Sequence, residues 1–226
     1  MATKKLSQKS ATRALADLRE GNERFVKENF NDPVLDTTLR NVKRREQLVD
    51  GQLPWAVVLC CADSRVPPEF VFDCGLGEIF TIRVAGNIAN PESIASIEYA
   101  AIKSIGKIGA NLVVVLGHEG CGAVKAAIEN AAATKPANLG RHINGLLSYL
   151  TPAVSKLSPK SVMEFNNKST SKKKKDSTLN AAVKSNALNS VSELNSLSSK
   201  ISDESGVIVV PAIYRLATGK VDFFEA

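Results

Sequence analysis

The sequence predicts an α/β fold, a mainly parallel central sheet of four to five strands flanked by helices. Three observations predict it. Residues 55–60 and 112–116 are apolar throughout and rich in β-branched side chains, the pattern of strands buried on both faces. Between such runs apolar residues recur at helical spacing, and strands alternating with helices build right-handed βαβ units. Each run is followed at once by residues that carry chemistry, and open α/β sheets hold their sites just past the carboxyl ends of their strands.

The elements follow in order. Residues 10–28 form a helix that Ser10 or Thr12 can cap, with Leu15, Leu18, Phe25 and Val26 on one face. Asn31, Asp32 and Pro33 break it, and a second helix runs over 38–50 to Gly51. The first strand is 55–60. Pro67 and Pro68 open a short helix, a first turn being where proline is tolerated, and Gly75 and Gly77 turn the chain into a strand over 79–84. After a loop at 87–91, residues 92–105 are helical through Ile94, Ile97, Ala101 and Ile105. The third strand, 112–116, leads to a helix over 120–133, and another over 141–157 is interrupted by Pro152. Residues 158–178 are Ser/Lys-rich with few large apolar side chains and read as a mobile loop dispensable for chemistry. Helical spacing resumes over 185–201, a last long strand covers 207–216, and 221–224 is a short antiparallel edge. The chain 1–226 is thus one domain, with a helical arm over about 10–50 and a basic loop over about 158–178.

Cys61, Asp63 and Arg65 follow the first buried run; His118, Cys121 and Gly122 follow the third strand. Cys61, His118 and Cys121 make a Cys₂His set, one ligand short of a closed tetrahedron. Structural zinc sites usually fill all four places with protein, whereas catalytic sites keep one open, so the count favours a working Zn²⁺. Cys121 opens a helix, where backbone N–H groups favour a thiolate. Arg65 offers a planar fork to Asp63 and can hold it beside the metal. The plainer readings are two buried thiols with a core imidazole, and a surface ion pair worth about 0–1 kcal/mol.

The pattern Cys61-x-Asp63-x-Arg65 with His118-x-x-Cys121 resembles the zinc signature of β-class carbonic anhydrases. Gln52, Phe80, Ala85, Tyr99 and Gly122 fall where that family places its active-site wall, and residues 212–223 fit its closing stretch. The resemblance runs from about Leu15 to the C-terminus. It implies a zinc-dependent, reversible hydration of CO₂ to bicarbonate by zinc-bound hydroxide. Asp63 would accept that hydroxide's hydrogen bond, and Arg65 would keep Asp63 off the metal. It also implies a homodimer or dimer of dimers, in which a neighbouring subunit completes the pocket and the N-terminal helices lie across a partner. One branch of the family closes its site with bicarbonate in a pocket built partly from a Trp; here that position is Val58, although Arg83 matches the pocket's arginine. Taken without the resemblance, Phe80 and Tyr99 read as core residues.

Composition bounds the alternatives. Four cysteines in 226 residues do not make a disulfide framework; with two given to the metal, a reducing, cytoplasmic setting is expected. No run reaches a membrane span, and the basic N-terminus lacks the apolar core of a secretory signal. The net charge of +6 raises nucleic acid as a partner, but much of it sits in Lys172, Lys173, Lys174 and Lys175 without interleaved aromatics, the pattern of a solvated segment. Gly117, Gly120 and Gly122 do not match a dinucleotide fingerprint. A Cys/His hydrolase using Cys61 or Cys121 with His118 would need no metal. A carbonyl sulfide or carbon disulfide hydrolase on the same scaffold is the nearest alternative. Cys60 is expected in the core; Cys74 and His142 have no motif around them.

Overall fold

The computed structural model describes residues 7–28, 39–198, 201 and 206–225. Its sheet has five strands in the order β2-β1-β3-β4-β5: β1 (Ala56–Cys60), β2 (Ile79–Arg83), β3 (Leu112–His118), β4 (Ile208–Tyr214) and β5 (Val221–Phe223). β1 to β4 run parallel and β5 returns antiparallel to β4. The uninterrupted apolar runs are explained by cover on both faces. Val58, Cys60, Leu112, Val114 and Leu116 pack with Ala14, Leu18 and Phe72 on one side. Val57, Leu59, Val113 and Val115 pack with Ile97, Val191 and Leu194 on the other. Full burial of one such aliphatic side chain contributes about 1.5–3 kcal/mol.

Helix α1 (Ala11–Val26) is capped by Ser10, whose side chain accepts from the Arg13 N–H. Its residues Ala11, Ala14 and Leu18 are buried against its own chain. Asn22, buried on α1, donates to the Val71 and Gly219 carbonyls and accepts from the Val221 N–H, so one side chain ties three segments. Helix α2 is Val42–Gln47, shorter than the expected 38–50, and Thr38 lies outside the described residues. After α3 (Pro68–Val71), the helix expected over 92–105 divides at Ile102 into α4 (Pro91–Ala101) and α5 (Lys103–Gly106).

Helices α6 (Gly122–Ala131), α7 (Arg141–Ser155), α8 (Pro159–Phe165) and α9 (Lys172–Leu197) follow, and two expectations are corrected there. Pro152 does not interrupt α7. Thr151 and Pro152 are exposed, so the hydrogen bond that proline forfeits falls on the wet side of the helix. The 158–178 segment is not a loop either. It holds α8 and the first turns of α9, whose buried positions Leu179, Val183, Ala187, Val191 and Leu194 sit three or four apart. The lysine run is the exposed first turn of that amphipathic helix. Ser171 caps it by accepting from the Lys174 N–H, and Lys174 pairs with Glu164 of α8.

Candidate metal centre

Parallel pairing of Cys60 with Leu116 sets the ends of β1 and β3 side by side. Cys61 leaves β1, His118 ends β3, and Cys121 is the N-cap of α6, so three donors converge on one point. Their ligand atoms lie within 4.8 Å of one another, all three residues are buried, and the two sulfurs are 4.0 Å apart. His118 Nδ1 lies 2.9 Å from the Glu119 carbonyl oxygen. A carbonyl only accepts, so Nδ1 carries the proton and Nε2 keeps its lone pair. That Nε2 is buried with no hydrogen-bond partner, a cost unless something electrophilic sits there.

The sulfurs are prepared for charge as well. The Cys121 thiol beside it draws Cys61 down, against burial, and the nearby His118 imidazole and the Gly86 and Asp63 backbone N–H groups help. The same shared proton pushes Cys121 up. Gly86 N lies 3.4 Å from the Cys61 sulfur. Glycine is required there: φ is +74°, and a Cβ would stand 3.1 Å from Leu150. An orphaned imidazole nitrogen beside two thiols, one already favoured as thiolate, fits a zinc ion. Cys60 differs. It points into the α1 face of the core, and burial pushes its thiol up to about 12. Cys74, also buried, is raised for the same reason.

Asp63 sits beside the cluster with Oδ2 3.9 Å from His118 Nε2. Both its oxygens are taken by Arg65, Nε to Oδ1 at 2.9 Å and Nη2 to Oδ2 at 2.7 Å, and the Arg65 N–H adds a third bond to Oδ1. These bonds hold the Asp63 carboxyl well below the usual carboxylate range. The fork pairing expected from spacing is thus present.

Several supports escaped the sequence reading. Arg83, at the end of β2, donates to the carbonyls of Cys61 (3.2 Å) and Asp63 (2.5 Å), clamping the loop backbone. Asn186 and Ser190 of α9 donate to the Gly86 and Asn87 carbonyls at 2.7 and 3.1 Å, fixing the turn that offers Gly86 N–H to Cys61. Two polar residues on the otherwise mostly apolar buried stripe of α9 were the available signal. Arg215 reaches Glu119 at 2.9 Å and Asp222 at 2.8 Å, and no local pattern announces that pair.

The remaining expected site residues divide. Ala85 belongs to the short 3₁₀ turn Ala85–Asn87, and Gly122 opens α6 with nothing within 4 Å of where a Cβ would stand. Both adjoin the cluster. Phe80 pairs with Val57 and packs against the half-exposed Tyr99, ring centroids 6.3 Å apart. It lies three residues, about 10 Å, down the strand from Arg83. Gln52 is exposed and precedes β1, toward the opposite end of the sheet from Cys61. Within one chain these three do not reach the cluster. His142 is exposed on α7.

The family model described as carbonic anhydrase matches residues 56–221. The chain belongs to the β-carbonic anhydrase family. Carbonic anhydrase 2 of Mycobacterium tuberculosis is 40% identical over 137 residues, 61% of this chain and 61% of that protein. A carbonic anhydrase of Mycolicibacterium smegmatis is 42% identical over 111 residues, 49% of this chain and 50% of its own length. The chain therefore spans between half and two thirds of the length of these relatives. Among solved structures, a tetrameric β-carbonic anhydrase from Sordaria macrospora superposes with a TM-score of 0.65 at 18% identity, covering 95% of this chain and 96% of that one. The Coccomyxa β-carbonic anhydrase, in complex with acetazolamide, gives 0.63 at 22% identity over 92% of this chain and 85% of its own. Both confirm the fold.

Proposed function

We propose that this protein hydrates CO₂ reversibly to bicarbonate and a proton, with zinc held by Cys61, His118 and Cys121. The observation that carries the reading is the partnerless, buried Nε2 of His118 between two thiols and beside an arginine-held carboxylate. When bound, zinc supplies Lewis acidity and, as in the unrelated His₃ enzyme of the same activity, a water ionisable near neutral pH. The chain's own residues do the rest. Asp63 remains ionised and only accepts, so it takes the O–H of the attacking water and leaves an oxygen lone pair turned to the carbon. Arg65 occupies both Asp63 oxygens and so keeps them from becoming a fourth ligand. Arg83 holds the backbone that carries both groups.

An apolar wall suits CO₂, which offers little to hydrogen-bond. Phe80 and Tyr99 supply that wall, and Gln52 its polar edge, to the site of a second copy, in a homodimer or dimer of dimers. Their distance from Cys61 within one chain supports this, as does the tetrameric state named for the Sordaria macrospora relative. Among the described residues no helix is long and apolar enough to cross a membrane. Four free cysteines favour a reducing, cytoplasmic setting.

Stopped-flow CO₂ hydration with metal analysis tests the reading. One zinc per chain and rapid hydration are expected, with sulfide release from carbonyl sulfide at background. Rapid sulfide release with negligible CO₂ hydration would overturn it.

A further inference from the structure

We infer that Arg215 is a positioning residue for His118, acting through Glu119; the inference rests on the zinc reading above. The direction of Nε2 is set by where Nδ1–H points, and Nδ1–H points at the Glu119 carbonyl. Whatever fixes the Glu119 peptide therefore aims the ligand. The Glu119 N–H is tied to the Tyr214 carbonyl at 3.1 Å. Immediately beyond it the chain turns through Gly120 with φ at +66°, a residue that resists rotation least. The other restraint is the Glu119 side chain, whose Oε1 accepts from Arg215 Nη1 at 2.9 Å.

Arg215 is itself anchored. Its N–H donates to the Lys220 carbonyl at 2.8 Å, and its carbonyl accepts from the Gly219 N–H at 2.9 Å. Its Nε donates to Asp222 Oδ2 at 2.8 Å. One rigid fork thus bridges a carboxylate of the ligand loop and a carboxylate of β5, a geometry lysine cannot reproduce with both contacts. Asp222 has a second partner, Lys220 Nζ at 3.2 Å, so it needs Arg215 less than Glu119 does. A hairpin staple would predict that the Asp222 contact matters more; a ligand-aiming strap predicts that the Glu119 contact does.

The zinc-loaded protein separates the two, with zinc release to excess chelator and the visible spectrum of the cobalt(II)-substituted protein as readouts. Loss of an outer-shell partner of a ligating His typically costs about 10–100-fold in metal affinity. Arg215 acts one link further out, so Arg215→Met should release zinc about tenfold faster, at the lower edge of that range. Glu119→Gln should match it, and the double variant should be no worse than either single one. Arg215→Lys should recover part of the loss and shift the cobalt band less than Arg215→Met. Asp222→Asn should lower the melting temperature while leaving zinc release nearly unchanged. Release from Arg215→Met and Glu119→Gln at the wild-type rate, or Asp222→Asn speeding release as much as they do, overturns the strap. A wild-type protein purified without zinc and unable to take it up overturns instead the reading on which the strap rests.

Discussion

The 158–178 segment offers the sharpest test, because composition and packing disagree about it. Phe165 closes α8 only 4% exposed, in the same buried cluster as Cys61, Cys121, Ile128, Leu179 and Val183. Around it Asn166 donates to the Glu129 carbonyl of α6, Thr170 donates to the Glu164 carbonyl, and Lys174 pairs with Glu164. Phe165→Ala removes an aromatic ring from a site walled by three helices that cannot all collapse, and such changes cost about 3–5 kcal/mol. Against a total stability of about 5–15 kcal/mol, that is a large share. With a urea m-value of about 3 kcal/mol/M, the top of the usual range, the midpoint falls by about 1–1.7 M. Urea unfolding at one fixed protein concentration reads it, since the proposed assembly would make stability concentration-dependent. Lys173→Ser, on the exposed first turn of α9, should stay within about 0.5 kcal/mol of wild type. Excising residues 160–176 removes α8, Phe165 and the Ser171 cap together, so it should be worse than Phe165→Ala. A Phe165→Ala cost below about 1 kcal/mol, or an excised protein with the wild-type midpoint, would refute this reasoning and restore the dispensable loop.

Other outcomes follow from the site. Cys121→Ser puts a neutral hydroxyl in place of a thiolate and should lose zinc and CO₂ hydration together; an inactive variant with full zinc would remove Cys121 from the ligand set. Cys60→Ala should keep one zinc per chain and lose about 1 kcal/mol of stability to its small cavity, whereas zinc loss would mean that the adjacent cysteines had been assigned the wrong way round. Asp63 has its folded pKa depressed by Arg65, so its pairing stabilises above the ordinary carboxylate range and that stability is lost as pH falls through the lowered value. Urea midpoints of wild type and Asp63→Asn should accordingly differ at pH 7 and draw together below about pH 4, near the unperturbed Asp value; a constant gap would count against the pairing. Bicarbonate should inhibit without sigmoidicity, because Val58 is fully buried in β1 and offers no indole N–H, and Arg83 is already engaged with the Cys61 and Asp63 carbonyls; cooperative shut-off would contradict both points.

The residues that could be read from sequence are those whose role is set by local chain geometry. Cys61 and His118 stand at the ends of unbroken apolar runs, Cys121 lies three residues past a strand end, and Asp63 and Arg65 are two apart. Spacing alone puts His118 within reach of Cys121 and Asp63 within reach of Arg65, whereas Cys61 meets the other two only through the parallel pairing of β1 with β3; β1 to β4 themselves follow from the same apolar pattern. The 158–178 segment misled because composition was weighed over its polar stretch, whereas helix stability is decided by the stripe that follows. Lysine is a good helix former, and a solvent-exposed first turn needs no apolar residues once Leu179, Val183 and Ala187 are buried. Pro152 misled because proline costs a helix stability without always ending it, and here the Ser148 carbonyl left without its N–H partner is on an exposed residue that water can reach.

What stayed hidden is the part of the site made by contacts far apart in sequence. The Asn186 and Gly86 contact spans 100 residues, and Arg215 and Glu119 are 96 apart. Arg83 shows that even a correctly marked position can carry a different task. Its place in the family pattern suggested a pocket for an anion, yet its bonds go to two backbone carbonyls of the loop that bears Cys61 and Asp63. Register explains this. Arg83 pairs with Cys60 at the last rung of the β1–β2 ladder, so its side chain stands beside the chain just as it leaves the sheet. The carbonyls of that departing loop have no strand partner; Asp63 O accepts from the Val66 N–H at 3.1 Å, and a guanidinium with five donors in a planar fork reaches both it and the Cys61 carbonyl at once. Placing the candidate ligands is therefore a matter of strand ends, while holding them still is a matter of which cations meet the carbonyls and carboxylates beyond those ends.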